Sequence, residues 1–292
     1  MSRLLVVVFS LLACMPLAAA APTPADLAAA TYHGIHPEPV RLVDGSWQGA
    51  PYVAGGASRP ALTLVPGLDL AGDLDGDGQP EAVALLAATT GGSGSFYHLA
   101  VMARRDGGLV QRALAPLGDR VQVRRAAALA GGFELEVVEA GPGDAACCPG
   151  QRVLRRWALA GKTLRELPPA PLGRLGTDAL GGITWQLQAL ASGLPLPPGN
   201  GVVVTFSADE VSGTAGCNSF FGGVRAGDRP GEVRIGPLMK TTTACADYAD
   251  ALEATFRARL VDVERFTFLG TRLALSYRNG QAFDLLLFSQ LE

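Results

Sequence analysis

The stretch Val211-Ser212-Gly213-Thr214-Ala215-Gly216-Cys217-Asn218, followed by Thr241-Thr242-Thr243-Ala244-Cys245, decides how this chain is read. Gly216 and Asn218 both tolerate positive φ, and an Asn side chain can bond its own backbone, so residues 216–218 are expected to form a tight turn. Cys245 stands just before an expected helix. Asp247 can cap that helix, and Asp250 falls in its first turn, where the helix dipole favours an acid. Tyr248, Leu252, Phe256 and Leu260 recur every four residues and make one apolar stripe, which reads as a helix packed on a sheet. Around it, residues 183–187, 202–206, 231–235, 266–269, 272–277 and 282–288 are short apolar runs with the character of strands. One helix among many strands gives an α+β class, mostly β.

Trp185 ahead of these pieces, Ile235-Gly236-Pro237-Leu238 between them and Glu253 inside the helix complete a constellation that resembles the META domain, also called the HslJ-like domain, of bacterial heat-shock and envelope proteins. The resemblance covers roughly residues 180–290. Thr243 departs from it, because the family usually has Met before Ala-Cys. It implies an antiparallel β fold with one packed helix and no established catalytic activity, with some members linked to heat stress and antibiotic tolerance. In an oxidising compartment the economical reading of the two motif cysteines is a Cys217–Cys245 disulfide, worth about 3–4 kcal/mol in the chain-entropy model. The alternative is a thiolate activated by the helix N-terminus, but no His lies in this half to act as base.

Working outward, Leu167-Pro168-Pro169-Ala170-Pro171 opens a Pro/Gly-rich connector over residues 167–182, expected to continue neither strand nor helix. It separates a domain at 183–292 from a β-rich domain at 31–166. In the latter, residues 81–89, 96–104, 120–129, 133–139 and 153–159 read as strands, with 105–108 and 130–132 as hairpin turns. Residues 22–30 read as a mobile Ala/Pro leader.

The N-terminal domain holds the richest chemistry. Asp73-Leu74-Asp75-Gly76-Asp77-Gly78-Gln79-Pro80-Glu81 places carboxylates at relative positions 1, 3, 5 and 9, with Gly78 at the sharp turn. Oxygen-rich spacing of that kind suits Ca2+, with Asp73, Asp75, Asp77 and Glu81 as ligands. Position 12 is Ala84, so the loop is not an EF-hand and looks more like the calcium loop of FG-GAP-type repeats. A solvated Asp/Gly turn is the competing reading. Gly91-Gly92-Ser93-Gly94-Ser95 lacks the Lys of a P-loop and the final Gly of a nucleophile elbow, which leaves a hairpin loop. Cys147-Cys148-Pro149 can form a vicinal disulfide, pair elsewhere, serve a thiol–disulfide exchange protein, or offer soft ligands to copper in a metal-handling one. His33 and His36 are surface residues or metal ligands. With Leu117-Gly118-Asp119-Arg120-Val121, these motifs are similar to an uncharacterised domain of secreted bacterial proteins and lipoproteins, which implies no activity.

The chain has 292 residues, a formal charge of −3 and 24 basic against 27 acidic residues, a balance that excludes a typical nucleic-acid binder. Only Lys162 and Lys240 are lysines, so nearly all the cations are Arg, as GC-rich coding would produce. Arg3, the apolar run 4–12 and Ala18-Ala19-Ala20 read as a signal peptide over residues 1–20, with Ala21 as the first mature residue. Leu11-Leu12-Ala13-Cys14 competes as a lipobox. Either way the protein is expected to be exported, as a periplasmic protein or an outer-membrane lipoprotein. The membrane is then touched only through lipidation of Cys14. The chain is expected to have no catalytic residues, to act on an unknown envelope partner or ligand, and to keep an even set of four cysteines that favours disulfides.

Overall fold

The computed structural model describes residues 20–145, 148–191, 194–207 and 209–291. The strand Glu81–Thr89 sets the N-terminal architecture. Its first six residues are all buried, so both of its faces are covered, as its continuous apolar run requires. It is the centre of an antiparallel sheet ordered Ser46–Gln48, Ala61–Leu64, Glu81–Thr89, Phe96–Arg105 and Gly108–Asp119. One face, with Val83, Leu85, Leu99 and Val101, packs on a second antiparallel sheet built from Gln122–Leu129, Gly132–Glu139 and Gln151–Ala160. That sheet contributes Val123, Phe133, Leu135, Val137 and Trp157 to the shared core. The other face, with Ala84, Leu86, Ala100 and Met102, is roofed by Leu27, Tyr32, Val40 and Leu42.

The roof corrects the expectation of a mobile leader. Pro24–Ala28 is a short helix closed by a Thr23/Asp26 capping box, and its Leu27 is buried. The connector is also not free. Ala170–Arg174 is an edge strand on Gln151–Ala160, with Pro171 opposite Val153, a sheet position that Pro tolerates because the outer edge needs no donor. Thr177–Leu180 then forms a 3-10 turn that buries Ala179 and Leu180. The strand Gly108–Asp119 escaped the sequence reading because Pro116 and two register shifts break its alternation.

The C-terminal half is one strongly curled antiparallel sheet. Its order runs Val233–Ile235, Ser219–Ala226, Glu210–Ala215, Val202–Phe206, Thr184–Ala191, Ala282–Gln290, Arg272–Asn279 and Val263–Leu269. The two end strands approach each other through a bridge between Glu232 and Arg265, so the sheet nearly closes into a barrel. The helix Asp247–Val261 drives Leu252, Phe256 and Leu260 into the core, where the Phe256 ring meets Phe220 at 5.7 Å and Phe288 at 6.4 Å. Tyr248, the first residue of the expected stripe, is exposed. Ala246, not Asp247, holds the N-cap position and makes no side-chain cap; Asp247 and Asp250 both lie in the first turn.

The two halves share a seam. Val138 and Leu175 join the C-terminal core. Arg124 donates from Nε to Ala179 O, from Nη1 to Glu136 Oε2 at 2.6 Å and from Nη2 to Gly181 O at 2.7 Å. Gln290 Nε2 returns a bond to Arg124 O at 2.9 Å, and the Phe268 N–H donates to Gln122 Oε1 at 3.0 Å. Among the described residues no helix is long and apolar enough to cross a membrane.

Candidate functional site

The ends of the strands Glu210–Ala215 and Ser219–Ala226, the segment Thr241–Cys245 and the long helix converge on Asn218. Cys217 and Cys245 are joined in a disulfide, with Cα atoms 6.1 Å apart and a separation of 28 positions in sequence. Gly216 takes a φ of +94°, but Asn218 does not have positive φ, so its role is not that of a turn-maker. Its side chain is 1% exposed and spends every donor and acceptor inward. Nδ2 donates to Glu253 Oε2 at 2.9 Å and to Thr243 O at 3.3 Å, while Oδ1 accepts from Thr241 Oγ1 at 2.9 Å and from the Thr243 N–H at 2.8 Å. Glu253, also 1% exposed, takes a further bond on Oε1 from Lys240 Nζ at 2.5 Å, and Arg257 stands 3.8 Å away. Burial would raise the Glu253 carboxyl. The hydrogen bonds from Lys240 and Asn218, with the Lys240 charge, outweigh it and hold the group below the usual carboxylate range.

This geometry turns the motif into a clamp. The Asn218 amide ties the end of one strand to the segment carrying Cys245, and Glu253 ties both to the helix. Lys240 is the part of it that the sequence reading did not assign. Its signal was available, since it is one of only two lysines in an arginine-rich chain.

Residues 178–289 match the META domain.

That match is to the family model, and it falls on the curled sheet, the helix and the clamp. A solved structure described as "NMR structure of the protein from Burkholderia xenovorans" is 24% identical, covering 39% of this chain and 86% of that one, with a TM-score of 0.32. No curated protein matches the chain.

The acidic loop lies far from the META clamp in sequence and is organised differently. Asp73 accepts from the N–H groups of Gly76 at 2.8 Å and Gly78 at 3.0 Å, Asp75 from Asp77 at 3.2 Å, and Asp77 from Gln79 at 2.9 Å. Glu81 is fully buried and accepts from the Leu74 N–H at 3.0 Å. Two arginines from the neighbouring strands face the cluster. Arg105 reaches Asp77 at 2.6 Å and Glu81 at 3.1 Å, and Arg112 reaches Asp75 at 2.8 Å. Burial raises the Glu81 carboxyl, helped by the Asp75 and Asp77 charges and opposed by the bonds from Leu74 and Arg105. Of the four expected ligands, Asp73, Asp75 and Glu81 each offer an oxygen within 4.8 Å of the others. Asp77 is outside that set, drawn toward Arg105. The mutual repulsion of these clustered carboxylates is answered here by guanidinium groups.

The remaining candidates separate. Ser93 is exposed in the hairpin between Glu81–Thr89 and Phe96–Arg105, and its carbonyl accepts from Arg120. Cys147 lies outside the described residues, as does Cys14. Cys148 is half-buried in a loop organised by Asp144, whose carboxylate accepts from the N–H groups of Gly141 at 2.8 Å and Gly150 at 2.9 Å. Hydrogen bonding from Arg174, together with these two amides, pulls the Asp144 pKa down to about 2 against the opposing effect of burial. His33 is exposed, whereas His36 packs on the Trp47 ring at 4.9 Å and lines a small cleft with His98.

Proposed function

We propose that this protein is an exported bacterial envelope module that works by binding, that its META domain gives it a stress-related role, and that it catalyses no reaction. One observation carries the non-enzymatic reading. The groups of the META motif able to do chemistry are consumed internally: the two cysteines by each other, and Asn218, Lys240 and Glu253 by one network. A nucleophile needs an available atom beside a base, and this arrangement supplies neither. Export rests on the residue 1–20 pattern, with lipidation at Cys14 as its variant. The test is labelling of the purified protein with a fluorophosphonate and with iodoacetamide, alongside N-terminal sequencing of the exported form. The reading expects no fluorophosphonate adduct, no adduct at Cys217 or Cys245 without reductant, and a mature start at Ala21. A stoichiometric serine adduct would overturn it.

Calcium-dependent binding is the second reading, favoured by the approach of Asp73, Asp75 and Glu81 oxygens to within 4.8 Å. Hard carboxylate oxygens at that spacing suit Ca2+. A thermal melt in calcium and in chelator tests it: an upward shift that Asp75→Ala removes supports the site, and identical melts reject it.

A further inference from the structure

A cleft of about 180 Å³ lies on the seam between the two halves. Gly67 and Asp69 from the N-terminal domain line one side, and Thr271, Arg272 and Gln290 from the META domain line the other. Two glycines make the approach possible. A Cβ on Gly270 would stand 2.5 Å from Pro66 O, and one on Gly67 would stand 2.8 Å from Arg272 Cγ. The Thr271 N–H, donating to Gly67 O at 3.1 Å, fixes the two loops together. The Arg272 stem is therefore laid across the seam by the packing, with its head in the cleft.

That head is unlike the head of Arg124, another arginine of the seam. Arg124 has an acceptor for Nε, Nη1 and Nη2. Arg272 Nε is buried with no acceptor, and among the described residues the guanidinium enters no ion pair. Burial lowers its pKa, opposed by the charge of Asp69. A guanidinium has five donors in a planar fork, and leaving the Arg272 Nε–H unmet away from water is costly. A carboxylate is the two-oxygen acceptor that matches the fork. Asp69 is exposed on the opposite side of the cleft, near enough to act on Arg272 through its charge yet not paired with it. A bare anion would meet Asp69 as a repulsion, whereas a ligand with an adjacent positive charge would meet it as a partner.

We propose that this cleft binds a small zwitterion of the amino-acid or short-peptide class, with its carboxylate on the Arg272 guanidinium and its ammonium toward Asp69. This names a ligand for the binding role above. Failure here would remove the cleft alone, while that role stands or falls by the labelling experiment.

The test follows the Arg272 Nε–H resonance of the 15N-labelled full protein during titration with glycine, acetate or ethylammonium. Glycine should shift it saturably, acetate should bind about two- to fivefold more weakly for want of the Asp69 contact, and ethylammonium should leave it unmoved. Asp69→Asn should bring glycine and acetate to equal affinity. Arg272→Gln should abolish binding, read by calorimetry on protein whose melt remains cooperative. No glycine-induced shift in the wild-type protein would overturn the proposal without reference to any variant. Equal affinity for glycine and acetate in the wild type would overturn it too, as would unchanged binding by Arg272→Gln.

Discussion

The clamp at Asn218 and the acidic loop at Asp73–Glu81 stand out equally in the sequence as clusters of reactive side chains, yet the fold treats them differently. The clamp is closed by a covalent bond and by a buried network whose members each have partners within the same domain. The loop is neutralised from outside by Arg105 and Arg112, side chains that a cation could displace. What identifies a site is whether its charges are answered by groups the fold cannot release, more than which residues it contains.

The largest effect should come from breaking the clamp covalently. Replacing Cys217 and Cys245 together with Ala should cost about 3–4 kcal/mol, read by chemical denaturation, because the bond closes a long loop. A loss below 1 kcal/mol would remove the disulfide from the account. Asn218→Ala should cost about 2–3 kcal/mol, since it removes one donor from the buried Glu253 carboxylate and leaves the Thr243 N–H without its acceptor. Glu253→Gln in that background should then recover part of the loss, which a pair of unrelated sites would not show.

In the loop, Arg112→Met should cost about 1 kcal/mol in chelator by uncovering Asp75, a modest figure because the ion pair is partly solvated. If guanidinium and calcium compete for the same oxygens, calcium should stabilise this variant more than the wild type in a thermal melt. Equal shifts in the two proteins would separate the arginines from any metal.

The smallest effect belongs to acid. The Asp144 pKa is depressed in the folded protein to about 2. Its contribution is therefore fully present above the ordinary carboxylate value of about 4 and is lost as pH falls through that window toward 2. Asp144→Asn should flatten the acid limb of stability between those values. Parallel limbs would assign the acid sensitivity to other carboxylates.

The strand-rich class, the long helix Asp247–Val261 and the Cys217–Cys245 pairing were legible in the sequence, because periodicity and motif order carry them locally. What was not legible depends on contacts distant in sequence. The short helix Pro24–Ala28 looked like a leader because its stability comes from Leu27 under a roof that no local pattern displays. Residues 170–174 looked like a linker because Pro171 is admissible only on an edge, and edges are defined by sheet order. Arginine looked like a coding bias. In the fold Arg124 holds the seam, and Arg155 grips Glu166 at 2.6 and 2.9 Å while bonding Leu117 O at 2.6 Å. Guanidinium forks cross-link these sheets, a role that composition alone does not reveal.

The most direct test of the structural reading of the clamp is non-reducing peptide mapping of the native protein after exposure to iodoacetamide. The account predicts one linked peptide pair containing Cys217 and Cys245, and no alkylation of either. Recovery of Cys245 as an alkylated peptide from folded, unreduced protein would contradict it and would return the helix N-terminus to consideration as a reactive centre.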